Sequence, residues 1–257
     1  MSFTLKRFFL KTCIYAWQLF RGCIAFILVA GLGYCIFLVA TSPDTSDSEE
    51  PVSTQPVCGR LSGKTIVLPR SYVVFWPEYE GASTWDKNSV HNKKGCEAEL
   101  VSLPLVMTWP QLQPAKQSEY FRDGLRFDGL EVVIAPVEIE AFDLRTRLGA
   151  LLGYAQGESI DVPAYIEGPG LYLVEHKDRT FPGVVNGYYW KEEGGKVEAV
   201  FECLGSKGGQ GYYNCRGEFV LNELDVLVKV GFTPEKLKDW NLIESSVSEF
   251  ILSSVEK

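Results

Sequence analysis

The sequence has few of the residues that carry enzyme chemistry. It contains only two histidines, His91 and His176, and neither lies at the spacing of a metal site. It has no G-x-S-x-G nucleophile elbow, and Gly59–Thr65 differs from a phosphate-binding loop in having one residue too few between its glycines. The sequence therefore predicts a protein that is not an enzyme and that needs no cofactor or metal.

Charge is absent from one long stretch, Gly22–Ala40. A bilayer core is crossed by a helix of about 20 apolar residues, so the sequence predicts a transmembrane helix over 22–41. Cations mark the cytoplasmic side of a membrane. Four of them precede the stretch: Lys6, Arg7, Lys11 and Arg21. We therefore expect a short cytoplasmic head, 1–21, a single pass through a membrane, and an exported remainder.

The alternative to an anchor is a cleaved signal peptide. Signal peptides have a shorter apolar core, about 7–15 residues, followed by a small-residue cleavage site. Leu38–Ser42 is a poor match to such a site. An uncleaved anchor is favoured, and either outcome exports the rest of the chain.

Residues 42–57 are rich in serine, threonine, proline and acids, and they predict a flexible linker. The folded domain is then 58–257, with room for two subdomains. The whole chain carries −8, and residues 1–41 hold four cations and no acids, so the remainder carries −8 − 4 = −12. This acidity argues against nucleic acid as a partner and is compatible with a cationic protein partner, although simple solubility is an equal explanation.

The cysteines predict disulfides. Three of the seven lie in or beside the membrane stretch, and four lie in the exported part: Cys58, Cys96, Cys203 and Cys215. An even number in an oxidising compartment indicates disulfide bonds, and four cysteines allow three pairings. The pairing Cys58–Cys96 with Cys203–Cys215 is favoured because each bond closes the more local loop. The close spacing of zinc-binding cysteines is absent from the sequence.

Short apolar and β-branched runs between turn residues predict a mainly antiparallel β domain. Lys64–Trp76 predicts two strands with a Pro-Arg-Ser break, and Pro104 predicts an edge strand or a bulge. Pro110–Asp128 is polar and is expected to be irregular. The other expected strands lie in Leu100–Trp109, Leu130–Ile139, Leu171–Glu175, Val184–Trp190, Val197–Cys203, Tyr212–Val220 and Leu224–Val230.

Two helices are expected. Leucine spacing predicts a short one over Asp143–Leu152. The C-terminal one has Thr233 as its expected N-cap and Pro234 at its first turn. Its apolar stripe favours packing on the sheet, with an exposed partner-binding helix as the alternative. The stripe comprises Leu237, Trp240, Ile243, Val247, Phe250 and Ile251. The predicted fold class is α+β, a β domain closed by a C-terminal helix.

Aromatic residues cluster in expected loops and hairpins. Aromatics near acids are typical of protein-recognition surfaces. The alternative is that they are cross-strand pairs that pack the sheet. The expected partner-binding residues are Trp85, Tyr188, Tyr189, Tyr212 and Tyr213.

From Val200 onward the order of features resembles a known family. Cys203 and Cys215 flank a turn, Phe219 and an aliphatic strand follow, and a closing helix has a Trp240-to-Ile243 step. This order resembles the C-terminal module of membrane-anchored or periplasmic immunity proteins encoded beside type VI secretion effectors in Gram-negative bacteria. The opening TIVLPRSYVV is also similar.

The resemblance implies a periplasmic, membrane-anchored protein that binds a cognate secreted toxin and neutralises it by stoichiometric inhibition. A structural or assembly subunit of the cell envelope or of a secretion machine has the same topology and is the first alternative. A membrane-anchored hydrolase whose site is assembled from distant residues is the second.

Overall fold

The computed structural model describes residues 55–83, 85–138, 142–155, 162–177, 183–206 and 212–256. No helix in these ranges is long and apolar enough to cross a membrane. The predicted cytoplasmic head, the transmembrane stretch and nearly all of the predicted linker lie outside the described residues.

Antiparallel strands make up most of the described fold. Two of them form a separate hairpin, β1–β2, and nine form one sheet with the order β3-β4-β5-β11-β10-β9-β8-β7-β6. The strands are β1 (Val57–Leu61), β2 (Lys64–Leu68), β3 (Glu78–Tyr79), β4 (Leu100–Thr108), β5 (Gly129–Pro136), β6 (Ala164–Ile166), β7 (Leu171–Lys177), β8 (Val184–Glu193), β9 (Lys196–Ser206), β10 (Tyr212–Leu221) and β11 (Val226–Phe232). The helices are α1 (Gln117–Asp123), α2 (Leu144–Ala155) and α3 (Trp240–Ser253).

The predicted meander is confirmed. From β5, in the middle of the sheet, the chain passes through α2 to β6 at the far edge. Strands β6 to β11 then return one beside the next, until β11 pairs with β5. Every pairing in the sheet is antiparallel, as the short connections predict.

One side of the sheet, which we call face A, carries the larger core. Buried side chains such as Val132, Phe201 and Phe219 point to this side and pack with the β1–β2 hairpin and α3. The C-terminal residues after α3 extend the hairpin: the amide of Val67 donates to Ser254 and that of Glu256 to Thr65. Face A is therefore closed by elements from both ends of the described chain.

The C-terminal helix is confirmed as a packing element, because Trp240, Ile243, Val247 and Ile251 are all buried in the face A core. The predicted start of this helix is confirmed in part. Thr233 is the N-cap residue and Pro234 the first residue of a helical segment, but Pro234–Asp239 is a 3₁₀ helix that runs into the α-helix at Trp240, and the Thr233 side chain makes no capping bond. The Thr233 hydroxyl instead accepts a hydrogen bond at 2.8 Å from Nζ of Lys236, a buried lysine that also contacts Asp128.

The opposite side, face B, is covered in part by α2, which confirms the predicted short helix. The Asp143 carboxylate accepts hydrogen bonds from the amides of Arg145 and Thr146 and so caps the first turn. The leucines of the helix pack against Tyr188, Trp190 and Val200. Their spacing places them on one side, which is why the pattern was readable in the sequence.

Two expectations between β2 and β5 are wrong. No second strand follows Pro69, because Arg70–Tyr72 is a 3₁₀ turn and the Arg70 guanidinium donates to the carbonyls of Val73 and Phe75. These bonds satisfy backbone groups that a strand would pair. The polar segment Pro110–Asp128 contains α1 and a second 3₁₀ turn, so it is not irregular throughout.

The edge position predicted by Pro104 is confirmed in part. Strand β3 pairs only with Leu100 and Ser102 of β4, so Pro104 lies beyond its reach. On its other side Pro104 is opposite Val133 of β5. A proline, which has no backbone N–H, is tolerated here because β3 does not extend far enough to form backbone hydrogen bonds at this position.

Both favoured disulfides are confirmed. Cys203 and Cys215 lie directly opposite each other on β9 and β10, and both are fully buried on face A. Cys58 is bonded to Cys96 at the start of β1, and Cys96 is exposed. Two bonds of this kind are typical of an oxidising compartment.

Candidate functional site

The aromatic residues expected to bind a partner lie in different environments. Trp85 has 96% of its surface exposed, in the loop that precedes the 3₁₀ segment Lys87–His91. Tyr188 and Tyr189 are buried, Tyr188 in the face B cluster and Tyr189 in the face A core. Their alternation along β8 makes them packing residues, so their predicted surface position is wrong.

Tyr212 and Tyr213 are half-buried. The Tyr212 hydroxyl donates a hydrogen bond to the Glu175 carboxylate. Burial and this bond raise the pKa of Tyr212 above its ordinary value. A Cβ on Gly187 would lie 2.4 Å from the Tyr212 hydroxyl oxygen, so glycine is required opposite this ring. Tyr212 is therefore fixed by its surroundings and shows only part of its surface to solvent.

A different set of residues, four aromatic and one aliphatic, forms an exposed apolar surface. The Phe75 ring lies 5.8 Å from Tyr120 and 5.9 Å from Phe121, and both contacts are edge-to-face. Trp76 follows Phe75 in the chain, and Leu125 lies in the 3₁₀ turn Gly124–Arg126 that follows α1. We call these five residues the aromatic surface: Phe75, Trp76, Tyr120, Phe121 and Leu125.

A small core below holds the aromatic surface in place. Val74, Val106 and Ala115 are buried together, and Tyr120 and Phe127 pack against them. The side-chain amide of Gln117 donates to the carbonyl of Val74 at 3.3 Å, which ties α1 to the segment that carries Phe75. The rings above this core are therefore held in fixed positions.

The exposure of these side chains is large for apolar residues. Trp76 is 77% exposed, and Phe121 and Leu125 are each 59% exposed. Single exposed apolar residues are common on protein surfaces, but a contiguous group marks a site of interaction. Aromatic side chains are also the residues that most often dominate the binding energy of protein interfaces.

A row of charged residues on face B lies next to the aromatic surface. Arg216 of β10 is opposite Glu202 of β9 and, on its other side, opposite Gly231, which in turn is opposite Glu131 of β5. A Cβ on Gly231 would meet the Glu131 carboxylate at 3.4 Å, so this carboxylate lies over the glycine. Glu202, Arg216 and Glu131 form what we call the charged row.

Tyr120 connects the two features. Its partial burial, then the negative charge of Glu131 and the hydrogen bond with that carboxylate, raise the pKa of Tyr120 to about 12. The positive charge of Arg216 acts in the opposite direction. The hydroxyl therefore stays protonated at neutral pH, and the aromatic surface and the charged row meet at one ring.

A metal-binding arrangement is not found in the part of the chain that the structure describes. No group of three or more His, Cys, Asp or Glu side chains there is close enough to hold a metal ion. His91 is exposed in a loop, and His176 lies half-buried on β7. The described geometry suits binding, since what it offers is an apolar surface beside fixed charges.

Sequence reasoning missed all five residues of the aromatic surface. Phe75 and Trp76 lie in a segment predicted to be a strand, and the other three lie in the segment expected to be irregular. The four-residue spacing of Phe121 and Leu125 in QSEYFRDGLRF is not a helical signal, because α1 ends at Asp123 and Leu125 lies in the 3₁₀ turn after it.

No protein-family model and no curated protein sequence matches the chain. Two solved structures are similar in fold. One is an immunity protein of the Stenotrophomonas maltophilia type IV secretion system, with 16% identity, a TM-score of 0.49, and coverage of 79% of this chain and 94% of the other. The second is an iron-regulated outer membrane lipoprotein of Neisseria meningitidis, with 18% identity, a TM-score of 0.45, and coverage of 79% and 93%. With TM-scores this low, the function of this chain has to rest on its own residues.

Proposed function

We propose that this chain is a periplasmic immunity protein, anchored in the inner membrane by residues 22–41, that binds a secreted antibacterial toxin and neutralises it in a stoichiometric complex. The proposed class of toxin is a type VI secretion effector, on the resemblance of the segment from Val200 to Ile251. The protein acts by occupying the toxin and catalyses no reaction.

The observation that carries the proposal is the aromatic surface. Three of its rings, Phe75, Tyr120 and Phe121, contact one another, and Tyr120 packs on the small core below, so these rings lose little conformational freedom when a partner covers them. Rigid aromatic anchors of this kind are typical of the centre of tight protein interfaces.

The charged row supplies the second requirement of an inhibitor, which is selectivity. Charges fixed next to an apolar centre reject partners that present the same charge in the same place. The two acids, Glu202 and Glu131, flank the single cation Arg216. A toxin surface that is apolar at its centre and cationic at two points of its rim fits this arrangement.

Isothermal titration calorimetry tests binding directly. The full chain in detergent micelles is titrated with the toxin encoded by the neighbouring gene, in its catalytically inactive form. We expect a 1:1 complex with a nanomolar or tighter dissociation constant. Absence of heat with every protein encoded next to this chain would contradict the proposal.

Substitutions in the aromatic surface are expected to weaken that complex. Phe121→Ser and Leu125→Ser each remove an exposed anchor, and we expect each to raise the dissociation constant by about tenfold or more, equivalent to about 1.4 kcal/mol. The measurement is the same calorimetric titration, with far-UV circular dichroism to verify the fold.

The matched control is Leu242→Ser. Leu242 is 56% exposed, nearly as much as Phe121, but it lies on α3, which packs on face A and not beside the aromatic surface. Its substitution is expected to leave the dissociation constant unchanged. An equal loss of affinity in this variant would show that general surface hydrophobicity, and not the aromatic surface, holds the toxin.

A further inference from the structure

A cleft of about 740 Å³ opens next to the aromatic surface and shares Trp76 with it. Its lining includes Val57, the Cys58–Cys96 disulfide, Trp76 and Tyr79. The Tyr79 hydroxyl donates to the carbonyl of Cys58 at 2.8 Å, which joins these two lining residues. This volume is within the range of about 300–1,000 Å³ that is usual for ligand sites.

The charge of the cleft is opposite to that of the domain around it. Arg70 and Lys94 line it, and none of the described residues that line it is acidic. The exported part of the chain as a whole carries −12, by the difference between −8 and +4. The cleft is therefore a local cationic and apolar site on an acidic protein.

The two cations differ in how they are held. Arg70 is half-buried, and one nitrogen of its guanidinium already donates to the carbonyls of Val73 and Phe75, at 2.9 and 3.3 Å. A guanidinium has five N–H donors, so others remain for a ligand. Lys94 is exposed at the rim, beside Cys96, where its ammonium can reach an anion on the ligand.

We propose that this cleft binds a segment of the partner protein that presents an apolar side chain with a carboxylate beside it. The apolar side chain lies against Trp76, Tyr79 and the disulfide, and the carboxylate lies between Arg70 and Lys94. The chemistry of the ligand follows from the cleft itself. That the segment belongs to the toxin rests on the function proposed above.

The cleft also makes the protein selective for its partner. The charged row favours cationic groups at the rim of the aromatic surface, and the cleft favours an anionic group on the other side of Trp76. A partner must therefore present both signs of charge in a fixed order on either side of an apolar centre. Fixed patterns of opposite charge are an effective way to reject wrong partners.

The test uses three small probes that share one indole ring and differ in charge: N-acetyltryptophan, which is anionic, N-acetyltryptophanamide, which is neutral, and tryptamine, which is cationic. The full chain is labelled with 5-fluorotryptophan, and its ¹⁹F signals are followed in detergent micelles during each titration. Trp76→Phe and Trp85→Phe variants assign the two signals that matter.

We expect the anionic probe to shift the Trp76 signal saturably and to leave the Trp85 signal in place, since Trp85 does not line the cleft. The neutral and cationic probes are expected to bind at least about threefold more weakly. Equal responses to the three probes, or no saturable shift at Trp76, would overturn the inference.

Two neighbouring lysines provide a matched pair of variants. Lys94→Glu reverses the charge at the rim and is expected to weaken the binding of the anionic probe by about threefold to tenfold. Lys93→Glu makes the same change at an exposed position that does not line the cleft. Lys93→Glu is expected to have no effect. Equal effects of the two variants would mean that only the overall charge of the loop matters, which overturns the cleft as a site.

Failure of this inference is distinguishable from failure of the proposed function. A toxin that binds the wild type and Lys94→Glu with the same affinity would overturn the cleft and leave the immunity function standing. A saturable Trp76 shift with the anionic probe, together with no binding of any neighbouring toxin, would support the cleft chemistry and remove the toxin as its source.

Discussion

Replacing Trp240 by alanine is expected to lower the free energy of unfolding by about 3–5 kcal/mol, the usual cost of deleting a buried tryptophan. The side chain is buried at the first turn of α3 and lies edge-to-face with Phe201 of the sheet, at 5.2 Å. Its indole N–H donates to the carbonyl of Pro169 at 3.0 Å. The change therefore leaves a cavity and also removes the donor to a carbonyl in the loop between β6 and β7.

Trp240→Phe separates these two contributions. It retains a ring against Phe201 and loses the hydrogen bond, so we expect a smaller loss, about 1–2 kcal/mol. Trp85→Ala is the control for removing a tryptophan of the same size from an exposed position, and it is expected to change stability by less than about 0.5 kcal/mol. Urea unfolding of the full chain in mild detergent, followed by far-UV circular dichroism, measures all three. A loss in Trp240→Ala no larger than in Trp85→Ala would contradict the packing of α3 described here.

Removing Arg147 is expected to cost about 2–3 kcal/mol, which is below the range for fully buried pairs because the arginine is itself partly exposed. Arg147 of α2 donates two hydrogen bonds to the carboxylate of Glu218, each at 3.0 Å, and so joins the helix to β10. Glu218 is buried, with only 5% of its surface exposed. Arg147→Ala therefore leaves a buried carboxylate without its main charge partner.

The double variant Arg147→Leu with Glu218→Leu tests the reason for this loss. If the cost comes from an unpaired buried charge, replacing both partners by apolar residues should return stability to within about 1 kcal/mol of the wild type. Arg145→Ala is the control on the same helix. Its ion pair with Glu192 lies at the surface and is expected to contribute less than about 1 kcal/mol. A double variant as unstable as Arg147→Ala alone would show that the pair is needed for its geometry and not only for neutralising charge.

Much of the fold was readable from local patterns. The alternating and β-branched runs predicted most of the strands, leucine spacing predicted α2, and the apolar stripe predicted α3. Short connections then required antiparallel neighbours. The disulfide pairing followed from loop length, which favoured Cys203 with Cys215 because a hairpin places its two strands opposite each other.

The parts that failed depend on side-chain hydrogen bonds and burial that composition and residue spacing do not show. The carbonyls after Pro69 are satisfied by the Arg70 side chain, so the segment does not form the strand its composition favours. Thr233 stands at the N-cap position but makes no side-chain capping bond, and its hydroxyl accepts a hydrogen bond from the buried ammonium of Lys236. Nothing in the local sequence shows that this lysine is buried.

The binding surface was the hardest part to predict. Tyrosines in a hairpin have the composition of a recognition site, but β8 runs through the interior of the sheet and buries Tyr188 and Tyr189. The exposed aromatics lie instead on two separate segments, around Phe75 and Phe121, that meet only in the folded structure. A sequence shows which residues suit an interface, but it does not show which of them the fold leaves outside.

The measurement that tests the central claim most directly is an inhibition titration of the cognate toxin. Increasing amounts of the full chain are added to a fixed amount of active toxin, at concentrations well above the dissociation constant, and the remaining toxin activity is recorded. Stoichiometric neutralisation predicts that activity falls linearly and reaches zero at one molecule of this chain per toxin molecule. Full toxin activity in the presence of a severalfold molar excess of the folded chain would contradict the account.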